Sequence, residues 1–248
     1  MPLREEFERS GNLLFRWRSY LPLLLLPIIL IALRNSEYMD GKVWNISASY
    51  FEFFAMLLSF LGLGIRCITI GFVPRGTSGN NVRGQLANTL NTSGMYSLTH
   101  HPLYLGNSLI TFGVTVFVGT WWLPVLTALV FWLYYERIMF AEEEFLRKEF
   151  GDVYIEWASG IPAFIPRFRN WRRPELGFSF QTVLKREYSS FFGIVSAFTL
   201  LELFRDSLRY KKLHVDPLWL AFFCAGLAFY LFILILKKKT RSLYVEGR

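Results

Sequence analysis

The apolar positions of this chain fall in blocks. Runs near 17–34, 50–73, 103–119, 121–139, 188–204 and 216–236 are almost continuously hydrophobic. A surface helix or a half-buried strand would instead show polar residues every second to fourth position. Crossing a hydrocarbon core about 30 Å thick takes roughly 20 mostly apolar residues in a helix. The blocks therefore predict an all-α, polytopic membrane protein with about six transmembrane helices. The first run reads as a retained helix, because Ala32-Leu33-Arg34 does not offer the small-x-small pattern of a leader cleavage site. Three segments follow: N-terminal helices over 1–73, a polar-and-apolar core over 74–168, and C-terminal helices over 169–248.

Composition supports this reading. With 25 Phe and 8 Trp in 248 residues, the chain holds more aromatic bulk than one soluble core needs. The net charge of +8 informs through its placement. Arg4, Arg9, Arg16 and Arg18 precede the first run, nine Lys and Arg fall between 137 and 186, and Lys237, Lys238, Lys239 and Arg241 follow the last run. Six spans put all three clusters on one side, which the positive-inside tendency makes cytoplasmic together with both termini. Arg205, Arg209, Lys211 and Lys212 fall on the other side and run against that assignment. Basic residues that flank membrane runs meet anionic lipid first, so a membrane and no nucleic acid is the expected partner. Cys67 and Cys224 both lie inside apolar runs, and neither a disulfide nor a metal site is expected.

Chemistry is left to two polar stretches. The first, from Pro74 to His101, has loop and turn composition with a short helix expected around Gln85–Leu90. It ends in His100-His101-Pro102. Proline disfavours helical geometry in the residue before it and suits the first helical position, so a helix is predicted to begin at Pro102 with His101 at its N-terminus. Unpaired amides and the helix dipole there favour a carboxylate or phosphate. Gly106 leaves room for another helix or a flat ligand. The same residues also fit a histidine capping a helix in the headgroup layer, with Tyr104 as an interfacial anchor.

The second stretch runs from Glu136 to Pro166, with a helix predicted to end at Gly151. Within Glu142-Glu143-Glu144, Glu143 has Arg147 and Glu144 has Lys148 one turn on, the spacing of helix-surface pairs. Glu142 has only Ile138, Met139, Phe145 and Leu146 as turn neighbours. Its carboxylate is therefore expected to find a partner on another helix or on a ligand.

Taken together, GMYSLTHHPLYLG and AEEEFLRKEFGDVYIEWASGIPAFIP resemble the isoprenylcysteine carboxyl methyltransferase and phospholipid methyltransferase superfamily, over roughly residues 74–168. Gly94 and Tyr96 match its Gly-x-Tyr. His101, Pro102, Tyr104 and Gly106 match its Arg-His-Pro-x-Tyr-x-Gly, and a helical hairpin follows. Glu142 and Glu143 match its acidic pair; Phe150, Gly151, Tyr154, Pro162 and Pro166 match the closing blocks. The resemblance implies a methyltransferase core at 74–168 that uses S-adenosylmethionine in a pocket at the cytoplasmic face. Gly94, Tyr96, Leu98, His101, Pro102, Tyr104, Gly106, Glu142 and Glu143 become the expected cofactor-binding residues.

The family arginine before His-Pro is replaced here by His100, so the fixed charge of that position is lost. His100, Arg137 and Arg167 are accordingly the catalytic candidates, with either arginine able to supply the missing charge. The stretch TSGNNVRGQLANTLNTSGMYS resembles bacterial relatives that methylate the 1-phosphate of lipid A. The expected reaction is methyl transfer to an acidic oxygen of a lipid entering from the bilayer of a bacterial inner membrane. A prenylcysteine carboxylate, a phospholipid amine, a nicotinamide-dependent reductase and a non-enzymatic scaffold are the alternatives. Oligomeric state is left open.

Overall fold

The computed structural model of the chain describes residues 2–18, 20–36, 42–43, 46–74, 76–77, 85 and 87–247. Eight helices carry these residues: α1 (Leu3–Trp17), α2 (Leu26–Arg34), α3 (Ala48–Phe72), α4 (Pro102–Phe117), α5 (Trp122–Phe150), α6 (Asp152–Ser159), α7 (Phe180–Tyr210) and α8 (Pro217–Lys239). A two-residue antiparallel ladder, Lys42–Val43 with Ile46–Ser47, precedes α3. Most of the described residues of Pro74–His101 are irregular. The helix expected around Gln85–Leu90 does not form, because Gln85 and Ala87–Leu90 are bends and coil; residues 75, 78–84 and 86 lie outside the described residues.

Among the described residues, α3, α5 and α8 are long and apolar enough to cross a membrane. The other expected spans differ for physical reasons. The block at 17–34 is interrupted by Pro22 and Pro27, giving a 3-10 turn over Leu21–Leu25 and then the short α2. The apolar helix Leu23–Arg34 is about 18 Å long at 1.5 Å per residue, far short of the roughly 30 Å core. With 16 residues, α4 reaches about 24 Å. In α7 the length is ample, but its buried face carries Glu187 and Glu202, which pair with arginines within the protein.

The centre of the fold is the crossing of α3 and α4. A Cβ at Gly62 would stand 2.5 Å from Gly106 O, and one at Gly113 would stand 2.5 Å from Ala55 O. Small residues on both helices thus let the backbones touch, the usual basis of close helix packing in membranes, and Ser59 Oγ donates across the seam to Ile110 O at 2.8 Å. A buried ion pair ties in α7: Arg66 Nε and Nη2 donate to the two oxygens of Glu187 at 2.8 and 2.7 Å, and Nη1 donates to Asn107 Oδ1 at 2.6 Å. Gly119, at φ +79, turns α4 back into α5, so the expected hairpin is present. The amphipathic α1 lies along the polar half of α5, with Gly11 against Arg137 O. Helices from all three expected segments therefore pack against one another.

Candidate active site

The site forms where the N-terminus of α4 meets the last third of α5. His101 is the N-cap residue of α4, with φ −122 and ψ 60, and Pro102 opens the helix. Its placement comes from backbone hydrogen bonds to the segment after α6. His100 N donates to Pro162 O at 3.0 Å and His101 N to Ala163 O at 3.2 Å, while Arg167 N donates to Leu98 O at 3.0 Å. Thr99 Oγ1 adds a bond to Ala163 O at 2.9 Å. Gly151, with φ +54, ends α5 and starts α6, which brings this segment back over the histidines.

The side chains then converge. Tyr104 Oη donates to Glu142 Oε1 at 2.7 Å. The Tyr104 ring stacks on His101 with centroids 5.6 Å apart, and the Tyr135 ring lies 4.8 Å away. His101 faces a carboxylate with each ring nitrogen: Nδ1 is 3.4 Å from Glu142 Oε2 and Nε2 is 3.2 Å from Glu143 Oε1. His100 Nδ1 reaches the same Glu143 oxygen at 2.9 Å, and its Nε2 faces Ala158 O at 3.3 Å. Trp157 covers the His100 ring at 4.6 Å. Both histidine side chains are below 8% exposed, whereas Glu142 and Glu143 keep 24% and 28%. The carboxylates form the open lip of the pocket and the imidazoles its wall.

Electrostatics follow the geometry. Burial alone would push the His101 imidazolium down, but Glu142 and Glu143 outweigh it and raise it to about 9. Burial pushes the Tyr96 hydroxyl well above its ordinary value, with the Glu142 charge adding to the shift and Arg186 and Arg66 opposing it.

The expected site residues divide accordingly. His100, His101, Tyr104, Glu142 and Glu143 form one connected cluster, and Pro102 and Leu98 are buried in its frame. Gly94, at φ +60, donates its amide to Arg172 O at 3.0 Å and lies against Pro174. Gly106 faces α3: a Cβ there would meet Arg66 Cγ at 2.6 Å and Gly62 O at 2.8 Å. The room it creates is taken by a helix. Arg137 turns away, donating to Ser10 Oγ at 3.1 Å with its guanidinium 4.6 Å from the Phe7 ring. Arg167 contributes its backbone and leaves its side chain exposed.

Glu142 meets the expectation of a partner on another helix. The surface pairs expected for its neighbours do not form. Glu143 turns to the histidines, and Glu144 is buried against Arg4 at 2.6 Å while Lys148 pairs with Glu8. The docking of α1 on this face is what overrides the i,i+4 spacing. Arg18, just past the end of α1, was not anticipated; its Nη1 is 3.8 Å from Glu142 Oε1.

A cavity of about 250 Å³ opens between α4 and α5 next to this cluster, lined by Leu105, Phe112, Phe131, Trp132, Tyr135 and Met139 among others. Tyr135 belongs to both, so the apolar space adjoins the polar pocket.

Fold and site define an integral membrane protein with a tyrosine–histidine–carboxylate pocket at the end of a helical hairpin. Residues 51–153 match the phospholipid methyltransferase family. The chain is 35% identical over 112 residues to the cobalt-zinc-cadmium resistance protein CzcN of Cupriavidus metallidurans, covering 45% of this chain and 51% of that protein. It is 30% identical to the protein-S-isoprenylcysteine O-methyltransferase of Schizosaccharomyces pombe, over 44% of this chain and 48% of the relative. Protein-S-isoprenylcysteine O-methyltransferase B of Arabidopsis thaliana is 28% identical over 48% of this chain and 70% of its own length. The chain spans about half the length of the first two. No solved structure matches. Over this region the chain is thus similar to the phospholipid methyltransferase family and to isoprenylcysteine methyltransferases.

Proposed function

We propose that this protein is an S-adenosylmethionine-dependent methyltransferase that acts on an acidic oxygen of a membrane lipid. One observation carries the reading: the Tyr104 hydroxyl on Glu142 at 2.7 Å joins two stretches nearly forty residues apart, each bearing half of the family motif. The residues present suit the cofactor. Glu142 and Glu143 offer partly open acceptor oxygens to an amino or ribose hydroxyl group, the first-turn amides of α4 suit a carboxylate, and the Tyr104 ring suits a sulfonium cation. When bound, the cofactor supplies a methyl group on that sulfonium, open to in-line displacement.

The chain's part is alignment and exclusion of water. Tyr104 and His101 fix the acidic pair, and the segment through Pro162 and Ala163 fixes the histidines. The apolar cavity beside Tyr135 takes the hydrocarbon of the acceptor, which leaves its polar end at the carboxylate lip. A phosphate or carboxylate oxygen is already anionic and needs no base, so His100 is not required to remove a proton. The 1-phosphate of lipid A is the acceptor favoured by the lead-in to the histidine motif. In this reading the site faces the cytoplasm of a bacterial inner membrane, and Gly94, Tyr96 and Leu98 wall the cofactor side.

The test is transfer of label from tritiated S-adenosylmethionine to total lipid by the purified protein in bilayer discs, followed by mass spectrometry of the labelled species. Label is expected in a methyl phosphodiester, formed when the methyl group joins a lipid phosphomonoester and S-adenosylhomocysteine leaves. Label in an amine headgroup or prenyl peptide would reassign the acceptor, and absence of label together with absence of S-adenosylhomocysteine binding would overturn the proposal.

A further inference from the structure

The same pocket has a second chemical character. His100 Nδ1 and His101 Nε2 both point at one atom, Glu143 Oε1, from 2.9 and 3.2 Å. The two imidazole nitrogens and the carboxylate oxygen all lie within 4.8 Å of one another, and both histidines are buried. A tetrahedral ion about 2.0–2.1 Å from each ligand spaces those ligands about 3.4 Å apart; the two nitrogen–oxygen distances, 2.9 and 3.2 Å, already lie close to that, and the two nitrogens, within 4.8 Å, draw together to share one ion.

The outer nitrogens decide what kind of cluster this is. A neutral imidazole has one N–H and one lone pair, and the nitrogen turned away from a metal keeps its N–H and donates it to a carbonyl or carboxylate. His100 Nε2 faces Ala158 O at 3.3 Å, and His101 Nδ1 faces Glu142 Oε2 at 3.4 Å. Each ring therefore aims one nitrogen inward at the shared point and has an acceptor waiting on the other. Without an ion, all four ring nitrogens face oxygen acceptors and the two rings lack the hydrogens to satisfy them unless both are charged.

We infer that His100, His101 and Glu143 form a binding site for one first-row transition-metal ion of the Zn²⁺, Co²⁺ or Ni²⁺ class, with Glu142 and the Ala158 carbonyl as its outer supports. Imidazole and carboxylate donors suit these borderline ions better than Mg²⁺ or Ca²⁺, which take oxygen ligands. Three protein ligands leave one position open, and Glu143 is the one of the three with an accessible edge. The consequence for methyl transfer rests on the reading above: an ion held here withdraws Glu143 and His101 from the methyl donor, so metal and donor compete for the pocket.

The test uses the full-length protein, free of any histidine tag and stripped with chelator, in detergent. Equilibrium dialysis against Zn²⁺ with elemental analysis is expected to give one ion per chain, and Co²⁺ loading is expected to give the intense visible bands of a tetrahedral site. His100→Ala and Glu143→Gln lose the ion. Glu142→Gln weakens affinity by about 10–100-fold, as expected for loss of an outer hydrogen-bond partner. Glu144→Gln, on the other side of α5, binds as the unaltered protein does. Should His100→Ala destabilise the chain, the Co²⁺ spectrum of the unaltered protein still decides the matter. Absence of stoichiometric binding, octahedral-type weak bands alone, or equal binding by a folded His100→Ala variant would overturn the inference. Binding of S-adenosylhomocysteine without any metal binding would remove the metal site and leave the methyltransferase reading standing; metal binding without any S-adenosylhomocysteine binding would do the reverse.

Discussion

Replacing Tyr104 by Phe removes a single hydroxyl from the centre of the pocket and leaves the ring in place. The His101 stack at 5.6 Å and the Tyr135 contact at 4.8 Å survive, so the loss is confined to the 2.7 Å bond to Glu142 Oε1. A hydrogen bond to a charged group contributes about 1.5–3 kcal/mol. Glu142 keeps Arg18 at 3.8 Å and His101 at 3.4 Å and is 24% exposed, so water and these cations recover part of it and the lower end applies, about 1.5 kcal/mol. Holding the carboxylate in its donor-accepting orientation then costs about that much, which is roughly tenfold in affinity. Calorimetric titration of the purified protein with S-adenosylhomocysteine should show Kd raised by about tenfold with an unchanged far-ultraviolet spectrum, whereas Glu142→Gln should abolish binding. A Tyr104→Phe variant that binds within twofold of the unaltered protein, beside a Glu142→Gln variant that does not bind, would refute the claim that the hydroxyl orients the carboxylate.

Other perturbations separate scaffold from site. Gly62→Ala drives a Cβ to within 2.5 Å of Gly106 O and 2.9 Å of Ile110 N; overpacking of this kind costs about 1–3 kcal/mol, so thermal unfolding in detergent should occur at lower temperature, and an unchanged midpoint would contradict the close crossing of α3 and α4. Glu144→Gln should release α1 from α5 and speed limited proteolysis near the N-terminus while leaving S-adenosylhomocysteine affinity intact; lost affinity would show that Glu144 reaches the pocket. His101 is held up near 9 by two carboxylates. Its stabilising contribution is complete below its unfolded value, about 6.5, and fades as pH rises through 9. In chelator-treated protein the thermal midpoint should fall over pH 7–9, and His101→Gln should flatten that fall; parallel profiles would remove the charged His101 from the account.

Much of this was legible in the chain itself. Pro102 announced the start of α4 and Gly151 the end of α5, because both residues act through local backbone restrictions that tertiary contacts rarely reverse. The isolation of Glu142 among apolar turn neighbours correctly pointed to a partner on another helix. Glu143 and Glu144 misled because i,i+4 spacing describes an exposed helix, and α1 and the histidine loop cover this one. The sequence block at 17–34 counted as a span on apolarity alone, although Pro22 and Pro27 were there to interrupt it. Arg66 carried a readable signal, a charge inside an apolar run, which calls for a buried partner; which partner, Glu187 some 120 positions later, no local pattern could supply. Arg18 had no such signal, since it sits in a basic cluster that membrane-flanking placement already accounts for.

The hydrogen bonds that hold the two histidines come from the carbonyls of Pro162 and Ala163, not from their side chains. Ala163 and Ile165 are exposed, Ile165 at 75%, so evolution is free to exchange them. Side chains at Ala163 and Ile165 can therefore change, or carry new surface, while the imidazoles keep their coordinates. The identity of these exposed side chains is then a poor guide to whether the pocket itself is intact.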